Sequence, residues 1–226
     1  MTITIHQPEH LIWLGLVDKI SKSDIFVILD NVQYRKNYFQ NRNKIKTKKG
    51  WRWLTVPIKK HPFETKVNAI EISDQNWQEH YLSILKENYE KAPYFERYFG
   101  GIREIIYRDH KFISDLNTEL IAFLLNEFQI KKKILKASSL RLQDLKGGSN
   151  INLTICEKLK ADSYLSGPSG EDYLDLAQFK KHKIDVSFHK FDHPAYRQLW
   201  GEFIPCMSSI DLLFNYGPKA KAILFE

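Results

Sequence analysis

Two short apolar runs near the start of this chain each end on a titratable side chain. Ile3 to Ile5 leads into His6-Gln7-Pro8, and Ile25 to Leu29 leads into Asp30-Asn31-Val32-Gln33. An imidazole can move protons or bind phosphate near neutral pH, and a carboxylate can accept a proton from an attacking amine. His6 and Asp30 are therefore the candidate catalytic pair, with Gln7 and Gln33 beside them as amide groups able to read a substrate. Downstream, ten basic residues lie between Arg35 and Lys60 with no acidic residue among them. Such a local positive field attracts phosphate, in a nucleotide, a sugar diphosphate, RNA or anionic lipid. A solvated basic surface is the plainer reading of the same run.

The elements that would hold these groups form a βαβ unit, with a helix-like segment over Leu11–Ser21 between the strands. Ligands of open parallel sheets sit beyond the carboxyl ends of the strands. His6 and Asp30 are expected in one cleft there, with the basic run beside it. Residues 74–129 read instead as helices: Trp77, Tyr81, Ile84 and Leu85 recur at helical spacing after a Ser73-Asp74 cap, and Lys111–Phe128 forms another amphipathic stretch. From 133 onward strands and helices alternate again: strands at Lys133–Ser138, Ser163–Ser166 and Ile184–Lys190, helices at Asn152–Leu159, Tyr173–Lys181 and Ile210–Tyr216. A polar linker is expected over Gln143–Asn150. The expected fold is α/β, a Rossmann-like parallel sheet of residues 1–72 and 130–226 with a helical insertion at 73–129.

Three further groups could contact substrate. Asn41, Arg42, Asn43 and Lys46 precede a strand at Trp53-Leu54-Thr55-Val56; Arg gives a planar donor fork for phosphate and the amides can read hydroxyls. Interleaved Tyr34, Tyr38, Phe39, Trp51 and Trp53 would equally suit stacking on a single nucleic-acid strand. Ser166 and Gly167, at a strand end before Pro168-Ser169-Gly170 and Tyr173, could offer backbone N–H groups to an anion, or form a plain tight turn. Tyr196, Gln198 and Ser208 lie on an irregular stretch, where Ser208 and Ser209 could simply cap the helix carrying Asp211.

Composition narrows the class. The chain has 226 residues, 43% hydrophobic and 13% aromatic, which suits a folded globular protein. No apolar run approaches the roughly 20 residues of a membrane span. The N-terminal residues lack a basic region followed by a long apolar core, so no signal peptide is expected. Cys156 and Cys206 are isolated and match no metal spacing, so no metal site is expected, and two such thiols fit a reducing cytoplasm.

Two resemblances add to this reading. His6-Gln7-Pro8-Glu9-His10 resembles the phosphate-gripping turn of nucleotidyltransferase-like (HUP-like) folds, F-D-P-x-H-x-G-H. Pro8 matches the Pro and His10 the first His, but Trp13 stands where the second belongs. The chain as a whole resembles the WbqC-like family, through His6-Gln7-Pro8, Trp13-Leu14-Gly15, Asp30-Asn31-Val32-Gln33-Tyr34, Asn41 to Lys46, Trp53 to Pro57, Tyr164 to Gly167, His193 to Gln198 and Ser208 to Asn215. Glu9-His10-Leu11-Ile12 departs from the family's common Asn-Tyr-Leu-Pro. The resemblance implies a bacterial protein of O-antigen or other surface-polysaccharide biosynthesis, a transferase or ligase putting an aminoacyl or acyl group on the amine of a nucleotide-linked sugar. It places His10 and Trp13 at the substrate with the residues named above. ATP with Mg²⁺, or tRNA, would supply the activated donor. The Gly-rich turn and Met207-Ser208-Ser209 also look similar in layout to pantothenate synthetase, which forms an amide through an adenylated acid. A non-catalytic nucleic-acid or glycan-assembly binder is the other class left open.

Overall fold

The computed structural model describes residues 1–74, 76–142 and 147–226. In chain order the strands are β1 (Thr2–His6), β2 (Ile25–Ile28), β3 (Arg42–Thr47), β4 (Gly50–Thr55), β5 (Lys133–Lys136), β6 (Ser163–Ser166) and β7 (Asp185–Phe188). The helices are α1 (Leu14–Ser21), α2 (Trp77–Tyr89), α3 (Phe95–Tyr107), α4 (Ile113–Glu127), α5 (Gly148–Lys158), α6 (Leu176–Lys181), α7 (Ile210–Tyr216) and α8 (Ala220–Phe225). The chain forms two compact units. The first comprises Met1–Gln7, Asp18–Asn31 and Lys132–Asp192; the second comprises Pro8–Val17, Val32–Lys131 and His193–Glu226.

The first unit is an α/β fold around a five-stranded parallel sheet in the order β5-β2-β1-β6-β7. Numbered in chain order among the sheet's own strands this is 3-2-1-4-5, five strands of the doubly wound Rossmann order 3-2-1-4-5-6. β1 lies at the centre, and its Thr-Ile-Thr-Ile run suits a strand covered on both faces because β-branched side chains pack well on a pleated surface. β2 is Ile-Phe-Val-Ile and wholly buried. Ile3, Ile5, Ile25, Val27, Leu153, Ile155, Cys156, Tyr164 and Phe179 form one core on this sheet. Of the expected polar linker, Gln143 to Lys146 lie outside the described residues, and Gly148 already opens α5. The expected helix at Tyr173 starts later, at Leu176, where the Asp175 carboxylate accepts the Gln178 N–H at 3.1 Å.

The second unit holds α2 to α4, but also residues 32–72 and 193–226, which the sequence assigns to the sheet domain. Packing explains the difference. Phe214 of α7 lies 5.1 Å from both Tyr89 of α2 and Phe95 of α3, ring to ring, and the Lys46 N–H of β3 donates to the Tyr89 hydroxyl at 2.8 Å. β3 and β4 form an antiparallel hairpin whose Thr47–Gly50 pairing leaves Lys48-Lys49 as the turn, with Gly50 at φ 112°. Gly101 lets Phe123 of α4 close on α3: a Cβ there would stand 2.5 Å from the ring. Gly217, at φ 55° with the Tyr94 ring against it, ends α7 as the Gly-Pro pair predicts, and α8 follows.

The expected helix from Leu11 begins only at Leu14. Leu11 adopts a left-handed φ of 41°, and its carbonyl is held by the Asn43 amide (2.9 Å) and the Ser208 hydroxyl (2.7 Å). Nor does Asp74 help cap α2; it pairs with Lys59 at 2.7 Å.

Candidate functional site

In a 3-2-1-4-5 sheet the crevice opens where the order reverses, between β1 and β6. His6 ends β1, and Ser166 ends β6 with Gly167 directly after it. Thr4 pairs with Leu165, and Leu165 with Ser187. Two residues further, on the same face of each strand, His6, Gly167 and His189 form one row across three adjacent strands. The His189 N–H to Ser166 carbonyl bond (2.8 Å) fixes the last of these. One strand separates the two histidines, so their Cα atoms lie about 10 Å apart. Gly167 between them contributes no side chain.

Helix α1 supplies a charged partner to each imidazole. Lys19 Nζ lies 3.2 Å from His6 Nδ1 and 3.3 Å from the Ile5 carbonyl. An ammonium only donates, so Nδ1 accepts and a neutral His6 carries its proton on Nε2. The ammonium also stands 3.9 Å from where a Gly167 Cβ would be. Asp18 Oδ2 lies 2.5 Å from His189 Nε2 and 2.7 Å from Lys22 Nζ. Burial pushes the Asp18 carboxyl up, but the bonds from His189 and Lys22 and their charges outweigh it and hold it below the ordinary value. An ionised Asp18 fixes the His189 proton on Nε2 and leaves Nδ1 with its lone pair, the arrangement of a base oriented by a carboxylate.

Asp30 lies elsewhere on this edge, at the end of β2 on the far side of β1 from β6. It is 1% exposed. Its Oδ1 accepts the Ser138 N–H at 2.9 Å and its Oδ2 the Ser138 hydroxyl at 2.6 Å. This corrects the expectation that Asp30 faces His6 across an open cleft: the carboxylate pins the turn after β5. Ser166 is also buried, its hydroxyl so close under Gly170 that a Cβ there would stand 2.1 Å away. Gly167, rather than the serine hydroxyl, stands in the row. Tyr173 is half exposed, and its hydroxyl accepts from Asn152 Nδ2 at 3.3 Å.

The remaining candidates belong to the second unit, and most serve as scaffold. His10 is sealed between Asn117 Oδ1 (2.9 Å) and the Tyr81 hydroxyl (2.6 Å), and burial lowers its pKa to about 4, so it is neutral and holds no phosphate as a cation. Asn117 Nδ2 donates to the Pro8 carbonyl. Asn41 accepts from the Tyr34 hydroxyl and donates to the Val56 carbonyl, both at 2.9 Å. Asn43 and Ser208 clasp Leu11, so Ser208 does not cap α7. Trp13 lays its indole on Gly15. Gln198 closes a loop by bonding both the N–H and the carbonyl of Ile204. Gln33 is exposed and donates to the Phe63 carbonyl. Arg42 stacks 4.2 Å over Trp53. Lys46 is buried, donates to the Glu202 carbonyl, and has its pKa lowered by desolvation.

Sequence reasoning missed Asp18, Lys19 and His189. A signal for each exists: Asp18-Lys19 sits between Val17 and Ile20 in an otherwise apolar helix, and His189 follows a strand as His6 does. It also missed a buried acid in the second unit. The Tyr89 hydroxyl donates to Asp211 Oδ2 at 2.8 Å, and burial, opposed by Tyr89, Tyr196, Gln198 and Lys46, raises the Asp211 pKa to about 6. Asp211 Oδ1 meets no partner within hydrogen-bond geometry, although Tyr196 and Gln198 are near enough to stabilise the charge. Among the described residues no three His, Cys, Asp or Glu side chains gather as a metal site, and no helix is long and apolar enough to cross a membrane.

Sheet order and strand-end cluster together define an α/β protein with a largely buried cluster of histidine, lysine and aspartate at the switch point of its parallel sheet. The chain belongs to the WbqC-like protein family, which it matches over residues 7–223. It is similar to uncharacterized protein Rv1507c of Mycobacterium tuberculosis, 34% identical over 221 residues that span 96% of this chain and 95% of that protein. No solved structure matches it.

Proposed function

We propose that this chain is a transferase or ligase that joins an acyl or aminoacyl group to the amine of a nucleotide-linked amino sugar, for bacterial surface polysaccharide such as O-antigen. One observation carries the reading: His6, Gly167 and His189 in a row beneath Asp18 and Lys19. An amine attacks only when neutral, so the reaction needs a positioned base. His189 Nδ1 takes the amine proton as the nitrogen lone pair forms the new C–N bond. Asp18 holds the resulting imidazolium. The bond from the acyl carbon to its leaving group then breaks, and the group departs with its electron pair. Lys19 and the His6 Nε2–H hold the donor's phosphate or the oxygen that becomes negative. Gly167 leaves room for the substrate between the imidazoles.

The polysaccharide setting rests on the family resemblance; a cytoplasmic location, where nucleotide sugars would be met, is the reading of two isolated free thiols. ATP with Mg²⁺ would activate the acid if the donor is a free amino acid; an aminoacyl-tRNA would arrive already activated. The test is incubation with UDP- or dTDP-linked amino sugars, amino acids and ATP, or charged tRNA, read by mass spectrometry. A product heavier by one acyl residue, lost in His189→Ala and Lys19→Met, supports the reading. Failure of every sugar to react or bind contradicts it.

A further inference from the structure

The β3–β4 hairpin carries a second chemistry, independent of the sheet site. Its register pairs Lys44 with Trp53 and Lys46 with Trp51, so Arg42, Lys44, Trp51 and Trp53 share one face. The opposite face, Asn43, Ile45 and Leu54, is buried. On the outer face rings and cations alternate in a continuous ladder. Arg35 lies 4.6 Å over Tyr38, Tyr38 meets Phe39 at 5.2 Å and Phe39 meets Trp53 at 5.7 Å. Arg42 stacks on Trp53 at 4.2 Å, and Lys44 lies 4.7 Å from Trp51 and 5.7 Å from Trp53. Trp51 is 44% exposed and meets Trp53 edge to face at 5.5 Å. Lys48, at the hairpin turn, lies 5.0 Å over Trp200. A hollow of about 470 Å³ beside the turn is lined by Thr47, Lys48, Lys49, Trp51, Arg52 and Glu87 among others.

Trp51 keeps 44% of its surface in water at the end of this cationic ribbon, open to a further stacking partner. We infer that this face binds single-stranded nucleic acid, the cations tracking phosphates and Trp51 stacking on a base. Cations two residues apart on a strand stand about 7 Å apart, and base–aromatic stacking tolerates any sequence. A neutral glycan fits worse, because sugar hydroxyls call for acceptors such as carboxylates, and Arg42, Lys44, Trp51 and Trp53 offer none.

The test uses the full chain and a fluorescein-labelled RNA 12-mer, with inorganic polyphosphate and phosphatidylserine vesicles as comparison arms. With Arg42, Lys44 and Lys48 as the contacts, log K should fall against log salt with a slope of about −2. Lys44→Gln should flatten that slope by about 0.7, and Trp51→Ala should weaken binding roughly 10-fold with the slope unchanged. Circular dichroism confirms that each variant is folded. RNA binding that ignores Trp51→Ala overturns the inference. So does polyphosphate or vesicle binding as tight as that of RNA.

Discussion

Gly167→Ala separates a site from a mere turn. Gly167 has φ −70° and ψ 165°, extended backbone open to any residue. The nearest atom to an added Cβ is Lys19 Nζ, at 3.9 Å, an ordinary contact. The fold therefore loses nothing, and the unfolded chain loses freedom, a gain of about 0.4–1 kcal/mol. For a chain of this size that raises Tm by roughly 1–4 °C. The methyl nevertheless stands against the ammonium assigned to the donor's phosphate, in the gap between the two imidazoles. Losing one hydrogen bond to a charged group costs about 1.5–3 kcal/mol, or roughly 10- to 150-fold in Kd. Scanning fluorimetry and titration calorimetry with a UDP-linked amino sugar read the two effects separately. A higher Tm with weaker binding is expected. Unchanged affinity would refute the assignment of the gap to substrate, and a Tm lowered by several degrees would refute the packing argument.

Asp18→Asn should cost about 1.5–3 kcal/mol at pH 7, since the neutral amide replaces a charged acceptor of two hydrogen bonds. The native carboxyl is held below its unfolded value, so its contribution is full above about pH 4 and is lost as pH falls through the lower folded value; the urea midpoints of the two proteins, apart at pH 7, should therefore draw together at about pH 3. Asp211 has the opposite sign: raised to about 6, it favours the protonated fold, so wild type should gain roughly 2 kcal/mol over Asp211→Asn between pH 7 and pH 4. A difference between those two proteins that stays constant with pH would refute the burial argument. His10, lowered to about 4, loses its contribution as pH falls from about 6.5 toward 4, so Asp211→Asn should show the steeper acid decline, free of the opposing carboxyl.

Strand-end chemistry made half of the site legible. A β-branched run followed by a polar group reads as a parallel strand opening on a crevice, and His6 does stand there. Asp30 is not its neighbour there, because adjacency in sequence, β1 to β2, is not adjacency at the switch point. That depends on β6 crossing to the other side of β1, a choice made some 160 residues later. The burial of Asp30 is equally non-local, since Ser138 lies 108 residues away. β3 was hidden because Arg-Asn-Lys-Ile-Lys-Thr alternates cations with other residues and so reads as a basic turn, although Lys46 is buried. His10, Asn41, Asn43 and Ser208 resemble substrate ligands in type; only packing shows that His10, Asn43 and Ser208 are consumed in holding the loop before α1, and Asn41 in tying Tyr34 to Val56.

The most direct trial of the switch-point site is a crystal structure of the protein soaked with a UDP-linked amino sugar. Phosphate density at Lys19 Nζ, with the sugar amine within hydrogen-bond reach of His189 Nδ1, is the predicted result. Density bound only in the second unit, with the row from His6 to His189 untouched, would contradict it.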